Sequence, residues 1–250
     1  MIKEYTLALR QESGKAPLSF EDGYPLYGML LEMLTSDAAQ SLHDEERPVL
    51  SQYLIPEERG KSALWKVTLL KEPQPELASL LENRGEFLLK SKEMRLCVRE
   101  RKTVEIKNIS ELLDIPGTNR DASRFCLRFL SPSSYRSAGE YQIFPTVRHI
   151  IHSAALSWNY IFEDNSMDDE DAMSMLAAGV KITSYNLKSY YYPLKGNKIP
   201  AFLGTVTLNA RLSAPMLQLL RAFLSLGTLR GVGIKTTLGM GGLSVKESSK

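Results

Sequence analysis

The N-terminal half of the chain alternates strand-like and helix-like patterns of apolar residues. Residues 2–10 alternate apolar and polar side chains, as a strand with one buried face does. Residues 26–34 are densely apolar at helical spacing, and Ser36-Asp37 predicts the start of a second, short helix that ends near His43. The remaining patterns are those of strands at 49–55, 64–70, 86–98 and 103–109 and of a helix at 75–83.

The C-terminal half repeats this order. A strand at 125–130 is predicted to end at Ser131-Pro132, and residues 146–162 have the pattern of an amphipathic helix. Acidic residues at 168–171 open another helix, where the helix dipole favours carboxylates. The rest has the patterns of paired strands at 180–192 and 201–210, of a helix at 214–226 and of a closing strand at 242–246.

The order strand, helix, strand, strand, helix, strand therefore occurs twice. This is the order of the ferredoxin-like (RRM-like, βαββαβ) unit, and 250 residues accommodate two units of about 100–150 residues. We predict an α+β fold of two tandem ferredoxin-like units, residues 1–115 and 120–250, joined by the turn-rich linker 115–119. Because such folds serve many functions, the fold alone does not decide the activity.

The composition is that of an ordinary globular protein, with 43% hydrophobic and 24% charged residues. No run of about 18 apolar residues predicts a membrane span, and the N-terminus reads as a strand rather than a signal peptide. Cys97 and Cys126 lie in strand-like runs without metal-site spacing, so we expect reduced core cysteines in a cytoplasmic protein. We expect no metal site and no cofactor.

Positive charge is concentrated near the C-terminus. The net charge is +2, but residues 179–250 contain ten Lys or Arg and one acid, Glu247, which gives this segment +9 and leaves −7 for the rest. A polyanion such as nucleic acid would be attracted to the basic segment. A solvated basic face is the alternative explanation.

A glycine-rich segment, 231–242, lies inside the basic region. It has two Gly-x-Gly pairs around Lys235-Thr236-Thr237, and glycine lets a backbone approach a phosphate closely. The segment is not a P-loop, because no Gly-Lys-Ser/Thr triplet closes it, and it lacks the third glycine of the dinucleotide-binding fingerprint. A plain glycine-rich hairpin remains the alternative.

With these parts in order, the chain resembles the CRISPR-associated repeat-cleaving endoribonucleases, the sixth Cas family of the RAMP superfamily. The loop matches the family pattern Gly-h-Gly-x5-Gly-h-Gly, where h is apolar, and residues 202–208 match its Phe-x-Gly-x-Val strand. Residues 27–31 and 38–44 resemble the first helix of the family and its Leu-His end. Further similarity lies at 129–132, at Phe144-Pro145 and at Trp158-Asn159.

The resemblance implies metal-independent cleavage of CRISPR repeat RNA in precursor transcripts, which releases guide crRNAs. The 2′-hydroxyl would attack the adjacent phosphate and leave a 2′,3′-cyclic phosphate and a 5′-hydroxyl. This chemistry needs a proton acceptor, a proton donor and positive charge at the phosphate. The partners implied are the repeat RNA and other CRISPR effector-complex subunits, with no membrane, and the chain is expected to be a monomer or homodimer.

The resemblance assigns catalysis to His43, whose imidazole titrates near neutral pH. Arg47, four residues later, is the candidate charge stabiliser, because Arg binds phosphate oxygens bidentately. An ion pair with Glu45 or Glu46 is the equal alternative for Arg47. Some relatives have a Tyr near the position of Leu31, which this chain lacks.

RNA contacts are expected from the loop and from the basic segment around it. The expected phosphate contacts are Arg230, Gly231, Gly233, Lys235, Thr236, Thr237, Gly239, Gly241 and Lys181, with backbone amides of Gly233 and Gly239 among them. Tyr190 could stack on a base, although a tyrosine that only packs is the commoner case. For His149 and His152, packing or solvent exposure on a helix is the simpler interpretation. A non-catalytic RAMP subunit that binds crRNA in an effector complex remains the alternative function.

Overall fold

The computed structural model describes residues 1–44, 50–70, 75–114, 122–163, 166–167 and 169–248. The strands are β1 (Ile2–Gln11), β2 (Leu50–Glu57), β3 (Ser62–Leu69), β4 (Glu86–Leu89), β5 (Met94–Ile106), β6 (Arg124–Ser133), β7 (Tyr135–Ser137), β8 (Glu140–Gln142), β9 (Val180–Leu194), β10 (Asn197–Ala210) and β11 (Leu243–Ser248). The helices are α1 (Gly23–Met33), α2 (Ser36–Asp44), α3 (Pro75–Asn83), α4 (Ile109–Asp114), α5 (Val147–Ile161), α6 (Glu170–Ala178) and α7 (Ala214–Arg230).

The chain divides into two compact units. Unit 1 consists of Met1–Glu105 together with Lys235–Met240, and unit 2 of Ile106–Ile234 together with Gly241–Lys250. The middle of the glycine-rich segment thus belongs to unit 1, although the rest of that segment belongs to unit 2. The predicted linker, 115–119, lies outside the described residues, so the boundary between two independently folding domains stays a prediction.

Unit 1 is a five-stranded sheet with the order β2-β3-β1-β5-β4. Four of these strands, in the order β2-β3-β1-β5, have the ferredoxin-like arrangement, and β4 is an additional edge strand. Strands β1 and β3 pair antiparallel, with Leu7 opposite Trp65. Because side chains alternate along a strand, one face of β1 contributes buried apolar residues to a core shared with Leu30 of α1 and Leu81 of α3.

Unit 2 is a four-stranded sheet with the order β11-β6-β10-β9, which is the ferredoxin-like order. Helices α5 and α7 pack on one another, where Trp158 meets Phe223 edge to face at 5.9 Å. On the sheet below them, Phe129 and Phe202 are also in edge contact, at 4.7 Å. The prediction of an α+β chain with two ferredoxin-like units is confirmed.

Some local predictions were wrong. Strand β6 continues through Pro132, where the sequence predicts its end, because the register against β10 shifts between Phe202 and Gly204 and an irregular position tolerates the missing N–H. The strand expected at 86–98 is divided by a short turn into β4 and β5. Helix α4 and the hairpin β7–β8 are too short for a periodic pattern, and the sequence did not predict them.

The two cysteines are free, and both lie in strands, as expected. Each is half-buried rather than part of the core, so the prediction of core cysteines was wrong. Cys126 alternates with buried phenylalanines on β6 and therefore points away from the helices of unit 2. In the part of the chain that the structure describes, no helix is long and apolar enough to cross a membrane.

Candidate nucleic-acid interface

The glycine-rich segment begins where α7 ends. Gly231 has a φ of +78° and its N–H donates to the carbonyl of Gly227 at 2.9 Å. The N–H of Val232 donates to the carbonyl of Gly241, also at 2.9 Å, which ties the two ends of the segment together. The segment is therefore a closed loop, which we call the glycine loop (Gly231–Gly242).

Gly233 is held tightly within unit 2. Its φ is +82°, and a Cβ at this position would lie 2.2 Å from the carbonyl oxygen of Ser134. Its N–H donates to Ser153 Oγ at 2.8 Å. This donor is therefore engaged within unit 2, and a phosphate contact from the Gly233 amide stays a prediction. Because Gly233 has no Cβ, the backbone of the loop can lie close to Ser134.

The middle of the glycine loop forms a short 3-10 turn, Thr236–Leu238, in unit 1. Lys235 precedes the turn in the left-handed conformation, with φ +58°, and its side chain is exposed. The N–H of Leu238 donates to the carbonyl of Lys235 at 2.9 Å, and Leu238 packs against the core of unit 1. Thr236 is buried. Lys235 is thus presented to solvent from a turn whose other residues face inward or are half-buried.

Gln52 of β2 binds this turn from inside unit 1. Its amide nitrogen donates to the carbonyl of Thr237 at 2.9 Å and to the carbonyl of Gly23 at 2.7 Å. Its amide oxygen accepts from Trp65 Nε1 at 2.9 Å. Sequence reasoning missed Gln52, and the available signal was a polar residue inside the apolar strand pattern at 49–55.

A close backbone contact brings the same turn against α1. A Cβ on Gly23, the first residue of α1, would lie 2.6 Å from Cα of Gly239. Thr237 Oγ1 donates to the carbonyl of Leu50 at 3.1 Å. Gly239 therefore serves close packing against Gly23, and its φ of +102° is one that other residues rarely adopt.

The helix that carries His43 is confirmed as α2, and His43 is its penultimate residue. Leu42 is only 8% exposed and belongs to the core of unit 1. The junction before α2 is bound to α3, because Thr35 Oγ1 donates to Glu76 at 3.0 Å. The side chain of His43 and all of Arg47 lie outside the described residues, so their catalytic roles stay predictions.

In unit 2, the sheet face that points away from α5 and α7 carries the other predicted contacts. Directly paired residues share a face, and Lys181 is opposite Asn209, which is opposite Arg124. Arg128 is opposite Thr205, which is opposite Asn186. We call this surface the open face; its members include Arg124, Cys126, Arg128, Lys181, Ser184, Asn186, Lys188, Tyr190, Leu203, Thr205, Thr207, Asn209, Ser244 and Lys246.

The open face is positively charged. It contains five Lys or Arg and no acid among these members. The acid of β11, Glu247, points to the other face, where it forms a buried ion pair with Arg221 at 2.6 Å. Sequence reasoning singled out only Lys181 and Tyr190 of this group. The missed signal was the alternation of Arg124 and Arg128 with the buried residues of β6.

Two predicted contacts are less accessible than expected. Arg230, the last residue of α7, is half-buried, and its burial lowers the pKa of the guanidinium. Its Nε has no hydrogen-bond partner among the described residues. Tyr190 is half-buried, whereas its neighbour Tyr191 is 65% exposed on the opposite face. Arg230 and Tyr190 as RNA contacts stay predictions, and neither is an open surface group.

His149 packs against another aromatic ring, which agrees with the simpler interpretation of the sequence. Its ring stacks on Tyr135 with centroids 5.1 Å apart, and burial lowers the pKa of its imidazole. His149 and the exposed His152 line a groove of about 780 Å³ between α5 and α6. Arg136 and Arg148 also line this groove, together with Asp169 and Glu170, so the groove carries both signs of charge.

Comparison with known proteins gives a consistent result. Residues 127–243 match the family model described as CRISPR-associated endoribonuclease Cas6. A protein of that name from Streptococcus thermophilus is 29% identical over 227 residues, covering 88% of this chain and 90% of its own. A Cas6 product complex has a TM-score of 0.76 at 21% identity over the full length of both chains. A Thermus thermophilus Cas6 has a TM-score of 0.73 at 20% identity, covering 98% of each chain.

Proposed function

Because the chain is similar to the CRISPR-associated Cas6 endoribonucleases over most of its length, we propose that it cleaves CRISPR repeat RNA by attack of a 2′-hydroxyl on the adjacent phosphate. It is an endoribonuclease that processes CRISPR repeat RNA in precursor transcripts. The observation that carries the proposal is the glycine loop, which lies in the matched segment and presents Lys235 to solvent. The products are a 2′,3′-cyclic phosphate and a free 5′-hydroxyl.

The proposed reaction needs no external nucleophile. The 2′-oxygen forms a bond to phosphorus while the bond from phosphorus to the 5′-oxygen breaks. A base removes the 2′ proton, and an acid gives a proton to the leaving 5′-oxygen. Because the nucleophile belongs to the RNA, no metal-activated water is required, and we propose that the reaction is metal-independent.

We assign proton transfer to His43, near the end of α2, since an imidazole can accept or donate a proton near neutral pH. We assign stabilisation of the charged phosphorane to Arg47, whose guanidinium matches two phosphate oxygens. Both assignments rest on the resemblance of the Leu42-His43 segment and on the confirmed position of α2.

We propose that RNA phosphates bind in two places. One is the turn of the glycine loop, through the exposed side chain of Lys235. The other is the open face, where Arg128 of β6 and Lys181 and Lys188 of β9 lie on exposed positions on the two sides of β10. Phosphate contacts of this kind dominate affinity for RNA and make it salt-dependent.

The test is a cleavage assay with a labelled repeat RNA, and with the same RNA carrying a 2′-deoxy sugar at the cleaved position. We expect the unmodified RNA to be cut in excess EDTA, with a cyclic phosphate on the 5′ product. The deoxy RNA should bind but stay intact, because it lacks the nucleophile. Activity that disappears in EDTA and returns with Mg²⁺ contradicts the mechanism. Tight binding without any cleavage favours the non-catalytic RAMP subunit.

We further propose that the chain acts in the cytoplasm, as a monomer or homodimer, and that it delivers its product to other subunits of a CRISPR effector complex. Size-exclusion chromatography with light scattering, with and without repeat RNA, tests the oligomeric state. A mass above that of two chains contradicts this part of the proposal.

A further inference from the structure

We propose that Gln52 is a positioning residue that holds the RNA-contacting turn of the glycine loop in its active geometry. The inference rests on the proposed function, because it assumes that the turn containing Lys235 contacts RNA. Gln52 itself is only 1% exposed and cannot touch RNA directly. Any effect it has on cleavage must therefore act through the loop.

The Gln52 amide is fully engaged on its donor side. The nitrogen has two protons, and each has its own carbonyl, at Gly23 and at Thr237. The oxygen is oriented by the indole N–H of Trp65, which is completely buried in the core. Trp65 thus fixes which end of the amide faces the two carbonyls, and the amide joins α1 and the turn through one rigid group.

Thr237 is held from two directions by the same strand. Its carbonyl accepts from Gln52, and its hydroxyl donates to the carbonyl of Leu50 two residues earlier on β2. The close approach of Gly23 to Gly239 leaves no room for a side chain between α1 and the turn. The turn is therefore bound at Thr237 and at Gly239 directly after it, and Lys235 directly precedes it.

Substituting Gln52 removes both donors to these carbonyls without altering any exposed group. In Gln52→Met the side chain keeps about the same length and stays apolar, so packing changes least. Misplacement of a contacting group by about 1 Å can cost about 10²-fold in rate. We expect Gln52→Met to slow single-turnover cleavage by about 10–100-fold at saturating enzyme. RNA affinity should fall as well, because Lys235 is then misplaced as a phosphate contact.

The matched control is Tyr53→Phe, one position along β2. Tyr53 is buried, and its hydroxyl has no hydrogen-bond partner among the described residues. Removing that hydroxyl alters the same strand without touching the loop. We expect Tyr53→Phe to cleave and bind RNA as the wild type does.

Limited trypsin digestion without RNA gives a second readout that does not depend on activity. Lys235 and Lys61 are both exposed at turns of unit 1, but only Lys235 adjoins the turn that Gln52 binds. In Gln52→Met, cleavage after Lys235 should become faster while cleavage after Lys61 stays unchanged, because only the turn loosens. Thr237→Val, which removes the hydroxyl bond to Leu50, should have the same effect on digestion and serves if Gln52→Met does not fold.

The outcomes separate the two proposals. If Gln52→Met, folded by circular dichroism, cleaves RNA at the wild-type rate and shows the wild-type digestion pattern, Gln52 has no positioning role. If digestion after Lys235 and digestion after Lys61 both become faster, in Gln52→Met and in Thr237→Val, Gln52 contributes only to the general stability of the protein. If the wild type cleaves no repeat RNA, the proposed function fails, while the digestion comparison still decides whether Gln52 holds the turn.

Discussion

Gln52 and Thr237 are 185 residues apart in the chain and are joined by a hydrogen bond of 2.9 Å. The bond is made within unit 1, although Thr237 follows the last helix of unit 2 in the sequence. The middle of the glycine loop is thus bound to β2 within unit 1. Substitutions in β2 and in the loop are therefore expected to affect one another.

Replacing the proposed general acid–base, in His43→Ala, should slow single-turnover cleavage by about 10²–10⁴-fold. RNA affinity should change by less than about tenfold, since phosphate contacts dominate binding. Gln40→Ala, one turn earlier and exposed on α2, is the control and should cleave normally. A wild-type rate for His43→Ala would exclude His43 and direct the same test to His149 and His152.

Arg47→Ala should reduce both the cleavage rate and the affinity, because a guanidinium bound to phosphate acts in the ground state and in the transition state. Arg59→Ala, at an exposed arginine of unit 1 that is assigned no contact, should do neither. Rate and affinity are measured separately, by single-turnover kinetics and by equilibrium binding. An Arg47→Ala variant that loses thermal stability alone would support the ion pair with a neighbouring glutamate instead.

Gly233→Ala should destabilise the protein by at least about 1 kcal/mol more than Gly196→Ala. Both glycines have a φ near +80°, so the backbone strain of an alanine is similar. Only at Gly233 would the new Cβ meet another atom, the carbonyl oxygen of Ser134 at 2.2 Å, while nothing lies within 4 Å at Gly196. Denaturant unfolding measures the difference, and equal losses would show that Ser134 moves away freely.

Repeat RNA should protect Cys126 from alkylation more than Cys97. Both cysteines are free and half-buried, but only Cys126 lies on the open face, between Lys246 and Thr207. Mass spectrometry of the modified peptides, with and without RNA, compares the two within one molecule. Equal protection of both thiols, or of neither, would argue against RNA on the open face.

Charge removal on the open face should weaken RNA binding in a salt-dependent way. In Arg128→Ala and Lys188→Ala, each lost phosphate contact should lower the slope of log affinity against log salt by about 0.7 for single-stranded RNA. Lys102→Ala, on β5 of unit 1, is the control for a general loss of charge. Slopes that match the wild type would show that these side chains do not contact phosphates.

The repeated order of strands and helices could be predicted from the sequence because alternation and helical spacing are local properties. The pattern at 2–10 became β1, and Pro75–Asn83 became α3 with the predicted bounds. Predictions failed where a long-range partner changes a local preference. Pro132 remains inside β6 because of the register shift opposite Phe202 and Gly204, and no property of residues 131–133 alone signals that shift.

The sequence by itself determined the two ferredoxin-like units, the glycine loop and the excess of positive charge after residue 178, since each depends only on residue order or composition. Tertiary structure alone decided that the Gly233 amide binds Ser153, that Arg128 and Lys188 share a face, and that Gln52 donates to the carbonyl of Thr237. The physical reason is the same in each case. A hydrogen bond to a backbone carbonyl, or a position on a sheet face, depends on which distant segments pair. The local sequence around a glutamine is the same whether its amide binds two carbonyls or water.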